Sequence, residues 1–176
     1  MFEIRDLVSH DHETVLAMNN AAVPDVNAHD EQSLQALLAR ADRSWVADRA
    51  PSTSTTVGTT APSEPLGLGG LLVTFAPGST YESRNYTWLS ERYDNFGYVD
   101  RIIIAPAHRR RGLAGRLYEA FAAHARTEGR HQLLCEVNVA PPNPRSVAFH
   151  EASGWDAIGD LEHEPGKVVR FFEYKL

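Results

Sequence analysis

Apolar and polar residues alternate along the chain with periods that predict strands and helices in mixed order. The clearest strand is 97–105, where three consecutive isoleucines before Pro106 predict burial on both faces. The clearest helix is 113–128, whose apolar residues recur every three or four positions before Gly129. Further strands are predicted at 2–8, 44–48, 66–75, 131–139 and 168–176, and further helices at 11–20, from the cap Asp30 to 41, in part of 82–93, and at 143–153.

The predicted order is β-α-α-β-loop-β-(α)-β-α-β-α-β-β, which mixes hairpin-like and crossover connections. We therefore expect an α/β (α+β) fold with a mixed sheet. A length of 176 residues suggests one domain, 1–176. Segment 49–65 holds eight Ser/Thr and three Pro and predicts a flexible surface loop. The alternative, a linker between two domains, would leave a poor core before it.

Charge and composition narrow the possible partners. The net charge of −6 argues against general nucleic-acid binding. Yet Arg109, Arg110, Arg111 and Arg116 lie within eight residues, a local basic cluster suited to a small anion. The first six residues carry charges, and no apolar run has membrane-spanning length, so neither a signal peptide nor a membrane partner is expected. Cys135 is the one cysteine, which fits a reducing cytoplasm, and no Cys/His cluster has zinc-ligand spacing, so no metal is expected.

A possible phosphate site lies between the predicted strand 97–105 and helix 113–128. A helix start has unpaired N–H groups and the positive end of the helix dipole. Gly112, Ala114 and Gly115 would let an anion approach the backbone, and arginines would add charge-assisted hydrogen bonds. The segment is neither a P-loop nor the three-glycine dinucleotide motif. On these residues alone, a solvated turn remains an alternative to a diphosphate site.

Two segments resemble motifs of the GNAT superfamily of N-acetyltransferases. Arg109, Gly112 and Ala114 match the Arg/Gln-x-x-Gly-x-Gly/Ala pattern of its motif A, directly after a strand that ends near a proline. Segment 143–155, from Asn143 to Gly154-Trp155, resembles its motif B. The two motifs occur in the family's order, and the predicted elements fit the family along nearly the whole chain.

The resemblance implies a GNAT-like acyl-CoA N-acyltransferase fold, with a mostly antiparallel central sheet flanked by helices. It also implies acetyl-CoA as cofactor and transfer of the acetyl group to a primary amine of a small molecule or a protein. The backbone near Ile103 and Ile104 would supply an oxyanion donor. The residues that the resemblance places on the cofactor are Ile102, Ile103, Ile104, Arg109, Arg110, Arg111, Gly112, Leu113, Ala114, Gly115, Arg116, Asn143, Ser146 and Phe149.

The chain departs from the family where a tyrosine acid is common, because His150 stands at that place. A histidine can protonate a thiolate near neutral pH, although a lone histidine on a helix is often structural. Tyr93 or Tyr98 would replace it only if the fold brings them near. Cys135 is expected to be a small buried residue rather than an acyl carrier.

Two acidic residues are candidates for the base that deprotonates the amine. Glu136 lies in a strand between apolar neighbours, and burial would raise its pKa. Asp100 is the rival, predicted to share a strand face with Tyr98 and Ile102. Asp100 would instead be structural if it pairs with an arginine such as 92 or 101. A third possibility is that ordered water alone carries the proton away.

The sequence leaves four questions open. The replaced tyrosine motivates a non-catalytic acyl-CoA-binding domain, sensory or regulatory, as the alternative function. A longer acyl chain is a further alternative, depending on space near Gly69 and Gly70, glycines that predict a bulge or a close backbone approach. The aromatics of 82–93 are expected either to line an acceptor pocket or to pack as a lid. A homodimer through edge strands near the C-terminus is possible.

Overall fold

The computed structural model describes residues 1–49 and 67–176. The predicted loop 49–65 lies outside them, except for Arg49, which ends a strand. The strands are β1 (Phe2–Asp6), β2 (Arg43–Arg49), β3 (Leu68–Phe75), β4 (Gly97–Ile104), β5 (Gln132–Ala140), β6 (Asp156–Glu164) and β7 (Lys167–Lys175). The helices are α1 (His12–Ala21), α2 (Glu31–Arg40), α3 (Arg84–Ser90), α4 (Leu113–Thr127) and α5 (Pro144–Ala152), with 3₁₀ turns at Ser9–Asp11 and Pro106–His108.

The strands form one sheet of seven in the order β1-β2-β3-β4-β5-β7-β6. Every neighbouring pair is antiparallel except β4 and β5, which are parallel and joined through α4. The expected mixed, mostly antiparallel sheet flanked by helices is therefore confirmed. The last strand, β7, lies inside the sheet, and β6 forms the edge. In the part of the chain that the structure describes, no helix is both long and apolar enough to cross a membrane.

The sheet separates two apolar cores. One lies under α1, α2 and α3, and its fully buried members include Val15, Leu34, Leu71, Phe75, Leu89, Phe96 and Tyr98. The other lies under α4 and α5, and includes Leu72, Leu117, Phe121, Leu133 and Phe172. The α4 contribution follows from its predicted period, because Leu117 and Phe121 are one helical turn apart on the face that meets the sheet.

Side-chain caps set the starts of three helices. Asp30 accepts a hydrogen bond from the backbone N–H of Ser33, as expected from its place before α2. Ser83 caps α3 and Asn143 caps α5 in the same way. The cap at Ser83 also explains why α3 begins two residues later than the predicted 82–93 segment.

Gly69 and Gly70 allow close approach of side chains to β3. A Cβ atom on Gly69 would lie 2.3 Å from Cε1 of Phe2, and one on Gly70 would lie 2.8 Å from Cδ1 of Ile104. Gly69 also sits at a register shift against β2. Both glycines thus serve close packing against β3, and neither lines the cavity described below.

A bulge in β4 changes which faces its residues occupy. Val73 pairs with Arg101 and Thr74 with Val99, so Asp100 is an extra residue without a direct partner on β3. The predicted shared face of Asp100 and Ile102 is therefore wrong: Asp100 meets Tyr81 on the α1–α3 side, and Ile102 packs against the α4–α5 core. Burial of the isoleucines on both faces is also wrong, because Ile102 and Ile104 are only partly buried.

Candidate functional site

The parallel strands β4 and β5 diverge shortly after they pair. Their ladder covers only Gly97–Val99 against Leu133–Cys135. Beyond it, β4 continues to pair with β3 and β5 with β7, which leaves the two facing edges apart. A cavity of about 650 Å³ opens there and is lined by residues of both strands. Facing strand edges can hydrogen-bond an extended ligand that carries amide groups.

One end of the cavity is the start of α4. Gly112 precedes the helix in the left-handed conformation, with φ of 75°, which favours glycine. No side chain caps this start, and no acidic residue occupies its first turn. A Cβ atom on Gly112 or Gly115 would meet nothing within 4 Å. The first residues of α4 thus border the cavity, where their uncapped N–H groups can bind an anion.

The basic cluster divides into residues that line the cavity and residues that do not. Arg109 and Arg110 line it, together with His108, whose Nδ1 is buried without a hydrogen-bond partner among the described residues. Arg109 is tied to the end of β4 by a 3.1 Å bond from its Nε to the carbonyl oxygen of Ile104. Arg116 donates instead to the carbonyl oxygen of Phe2, 2.8 Å away on β1. Neither Arg116 nor Arg111 lines the cavity.

His150 lies in the wall of the cavity with only 2% of its surface exposed. Its Nδ1 is 2.8 Å from the carbonyl oxygen of Ser146, and its Nε2 is 2.9 Å from the Tyr118 hydroxyl. Because a carbonyl only accepts, Nδ1 carries the proton, and Nε2 of the neutral ring accepts from Tyr118. Burial lowers the pKa of His150, which favours this neutral form. The neutral ring has no N–H left to donate to a ligand.

The other residues considered for acid or nucleophile roles are placed as follows. Tyr98 lies on the α1–α3 side and meets Glu136, so Tyr118 is the tyrosine beside His150. Tyr93 does not line the cavity. Cys135 is 2% exposed, and burial raises the pKa of its thiol well above the ordinary value. A thiol held protonated is a poor nucleophile, which agrees with a buried apolar role.

Glu136 projects into the cavity from β5 and is held by two donors. The Tyr98 hydroxyl lies 2.9 Å from each carboxylate oxygen, and Nδ2 of Asn85 lies 2.8 Å from Oε1. Burial, and next the charge of Asp100, raise the pKa of Glu136 to about 8. A carboxyl group with this pKa can exchange a proton near neutral pH.

Asp100 lies in the same cavity but is engaged by other side chains. One carboxylate oxygen accepts from Nε of Arg101 at 2.6 Å, and the other accepts from the Tyr81 hydroxyl. Arg101 is the partner that the sequence left open between residues 92 and 101. Arg101 also donates to Oδ1 of Asn19 at 2.6 Å, and Asn19 in turn donates to the carbonyl oxygen of Asn27 at 2.9 Å. Asp100 thus belongs to a chain of bonds that supports the α1–α2 loop.

The cavity brings together most of the residues singled out from the sequence. Asp100, Glu136, His150 and the predicted cofactor residues other than Arg111 and Arg116 all line it. Four further lining residues were not singled out from the sequence, namely Tyr81, Asn85, Tyr118 and Arg145, nor was any residue of the 22–27 segment. The aromatics Tyr86 and Trp88 pack elsewhere, Tyr86 in the core and Trp88 stacked on Phe171 at 4.2 Å. Among the described residues, no group of His, Cys, Asp or Glu is arranged to hold a metal ion.

Diverging parallel strands beside an uncapped, basic helix start define a site for a long ligand with an anionic end and an extended arm. A sequence model of the acetyltransferase (GNAT) family matches residues 24–155, which are 132 of the 176 residues. The chain belongs to this family, whose members are acetyltransferases. No match is found among curated protein sequences.

Solved structures of low sequence identity share the fold over nearly their whole length. Ribosomal-protein-alanine N-acetyltransferase from Brucella melitensis has 16% identity and a TM-score of 0.68, with 99% of each chain covered. An N-acetyltransferase from Staphylococcus aureus Mu50 has 15% identity and a TM-score of 0.67, covering 99% of this chain and 98% of the other. The yncA protein of Salmonella typhimurium, solved with its cofactor acetyl-CoA, has 14% identity and a TM-score of 0.66, covering 99% and 94%.

Proposed function

We propose that this protein transfers the acetyl group of acetyl-CoA to a primary amine of a small molecule or a protein. One observation carries the proposal: a single cavity joins the uncapped start of α4 to the carboxyl group of Glu136. Membership of the acetyltransferase family and the acetyl-CoA bound to yncA support the choice of donor.

The residues around the cavity fit the parts of acetyl-CoA, which would supply the acetyl group as a reactive thioester. The α4 amides from Leu113 onward, with Arg109 and Arg110, would bind the pyrophosphate. The free edge of β4 at 102–104 would pair with the amides of the extended arm, and its N–H groups would stabilise an oxyanion. Asn143, Ser146 and Phe149 line the opposite wall from α5.

We assign Glu136 rather than Asp100 as the general base. An alkylammonium has a pKa of about 10, so the acceptor must lose a proton before it attacks. Glu136 is oriented by Tyr98 and Asn85, and its raised pKa lies nearer to that of the amine than an ordinary carboxyl group does. Asp100 is ion-paired with Arg101, and its negative charge contributes to the raised pKa of Glu136.

A non-catalytic acyl-CoA-binding domain is the second candidate function. The geometry of His150 favours it, because the neutral ring has no N–H for a departing thiolate. Release of free thiol distinguishes the two functions, since a binding domain retains acetyl-CoA intact whereas a transferase liberates CoA with every acetylated amine.

The first experiment is calorimetry of acetyl-CoA and CoA with the wild type, Gly112→Asp and Gly78→Asp. Gly78 has nearly the same φ, 74°, and equally open surroundings, but lies outside the cavity. An aspartate strains both turns alike. If binding is lost in Gly112→Asp but retained in Gly78→Asp, the loss is due to the site and not to backbone strain. Thiol release is then measured with alkyl diamines, amino acids and peptides with free N-termini. Absence of acetyl-CoA binding in the wild type would refute the proposal.

We further propose a cytoplasmic location, supported by the free, buried Cys135. The net charge of −6 supports an amine rather than a nucleic acid as partner. The edge strand β6 is where a homodimer would pair.

A further inference from the structure

Asn85 links the proposed base to a histidine on the edge of the sheet. This residue lies in the first turn of α3, and its Nδ2 is 2.8 Å from Oε1 of Glu136. Its Oδ1 is 2.7 Å from Nε2 of His163 on β6. One amide group therefore joins two residues that are 27 positions apart and lie on β5 and β6, strands that do not pair with each other.

Hydrogen-bond chemistry fixes the direction of this link. When Glu136 is ionised, as a base must be, its carboxylate only accepts, so the NH₂ group of Asn85 must then face Glu136. The carbonyl oxygen of Asn85 then faces His163, whose Nε2 must carry a proton to donate. Without that donor, the amide can rotate and place its oxygen against Glu136, which disfavours the ionised carboxylate. The imidazole thus selects the amide orientation that suits a base.

A second contact holds α3 to the same residue of β6. Nη1 of Arg84 donates to the carbonyl oxygen of His163 at 3.0 Å. Arg84 and Asn85 therefore bind the backbone and the side chain of His163, respectively. These two bonds hold the first turn of α3 beside β6. The position of this turn places the amide of Asn85 within hydrogen-bond distance of Glu136.

We infer that His163 is a positioning residue for acetyl transfer, which holds Asn85 so that its amide donates to Glu136. The inference rests on the proposed role of Glu136 as base. His163 lies on the edge strand and does not line the cavity, so it acts only through Asn85.

Charged and titratable groups surround both residues that Asn85 joins. Glu136 is faced by Tyr98 and Asp100 from β4 and by Tyr81, which precedes α3. His163 is faced by Arg84 from α3, Glu164 on its own strand and Lys167 on β7. None of these groups bonds to the amide of Asn85, so the Asn85 link can be changed while they remain in place.

The test compares His163→Gln with His163→Asn. A glutamine amide can occupy the place of Nε2 and donate to Asn85, whereas the shorter asparagine cannot reach it. The carboxyl group of Glu136 is titrated by NMR on ¹³C-labelled glutamate, assigned with Glu136→Gln, and no acceptor amine is needed. We expect the midpoint to rise by about one pH unit in His163→Asn, as loss of one hydrogen bond to a carboxylate predicts, and to stay unchanged in His163→Gln.

A double variant tests whether His163 acts through Asn85. Asn85→Leu should raise the midpoint by itself, and adding His163→Asn should raise it no further. An unchanged midpoint in His163→Asn, or equal shifts in the asparagine and glutamine variants, would overturn the inference. Acetyl-CoA binding is measured on the same samples. If Glu136→Gln retains full acetyl transfer, Glu136 is not the base. His163 then has no role in the reaction, even if the midpoints shift as expected.

Discussion

The Tyr118 hydroxyl and the His150 imidazole form a hydrogen-bonded pair between α4 and α5, with 2.9 Å from Oη to Nε2. The carbonyl oxygen of Ser146 occupies the other ring nitrogen, so the direction of the bond is fixed from Tyr118 to His150. Histidine at this place of motif B therefore serves as an acceptor inside the core. Replacing His150 with an apolar residue would leave the buried Tyr118 hydroxyl without this acceptor.

That arrangement predicts unequal effects of two substitutions at His150. His150→Leu leaves the Tyr118 hydroxyl without its acceptor and should lower the free energy of unfolding by about 2–3 kcal/mol. His150→Gln retains an oxygen that can accept near the same place and should cost less. Urea unfolding followed by circular dichroism measures both. Equal losses in the two variants would mean that ring packing, rather than the hydrogen bond, dominates at this site.

Glu136→Gln should lower kcat by about 10²- to 10⁴-fold, the usual contribution of a general base. The Kd for acetyl-CoA should stay unchanged, since the substitution is nearly isosteric. In the wild type, kcat/KM should rise with pH and level off above a midpoint near 8, because Glu136 must be ionised to accept a proton. The variant should lack this midpoint. Glu91→Gln, at an exposed residue outside the cavity, is the matched control.

Glu136 should also make stability depend on pH. Its pKa is raised in the fold from 4.5 to about 8, so the folded protein holds a proton that the unfolded chain releases. The wild type should therefore lose stability relative to Glu136→Gln as pH rises from 4.5 to 8, with no further change above. The total difference should be about 5 kcal/mol. Denaturant unfolding of both proteins at several pH values measures it, and a constant difference would show that the pKa is not raised.

The four arginines of the basic cluster should contribute unequally to cofactor binding. Arg109→Gln and Arg110→Gln should each weaken acetyl-CoA binding about tenfold, because they line the cavity and would lose charge-assisted bonds to phosphate. Arg111→Gln and Arg116→Gln should have smaller effects that fade at high salt. Calorimetry at two salt concentrations separates them. An Arg116→Gln effect as large as that of Arg109→Gln would contradict this division.

Local signals made the helix start at one end of the cavity predictable. Gly112 and the start of α4 follow a strand directly, and the left-handed turn that the glycine permits is a property of neighbouring residues. The same holds for the caps at Asp30 and Asn143. In these places the sequence within one or two turns determines the backbone.

The proposed acceptor end of the cavity depends on contacts between distant residues. Asn85 reaches Glu136 across 51 positions, and Tyr118 reaches His150 across 32. No spacing rule connects such pairs, because they meet only when the sheet has formed. Asp100 shares the face of Tyr98 as predicted but not that of Ile102, for a related reason: the bulge arises from the register between β3 and β4, and one extra residue reverses the alternation.

The short ladder between β4 and β5 determines how firmly the two halves of the sheet are joined. Three residue pairs are all that join β1–β4 to β5–β7 within the sheet, whereas β5 and β7 pair along nearly their full length. The two half-sheets are therefore joined along a short line only. A ligand bound between them would act as an eighth strand. Binding should therefore fasten the two half-sheets to each other, so that occupancy of the site and resistance to unfolding rise together.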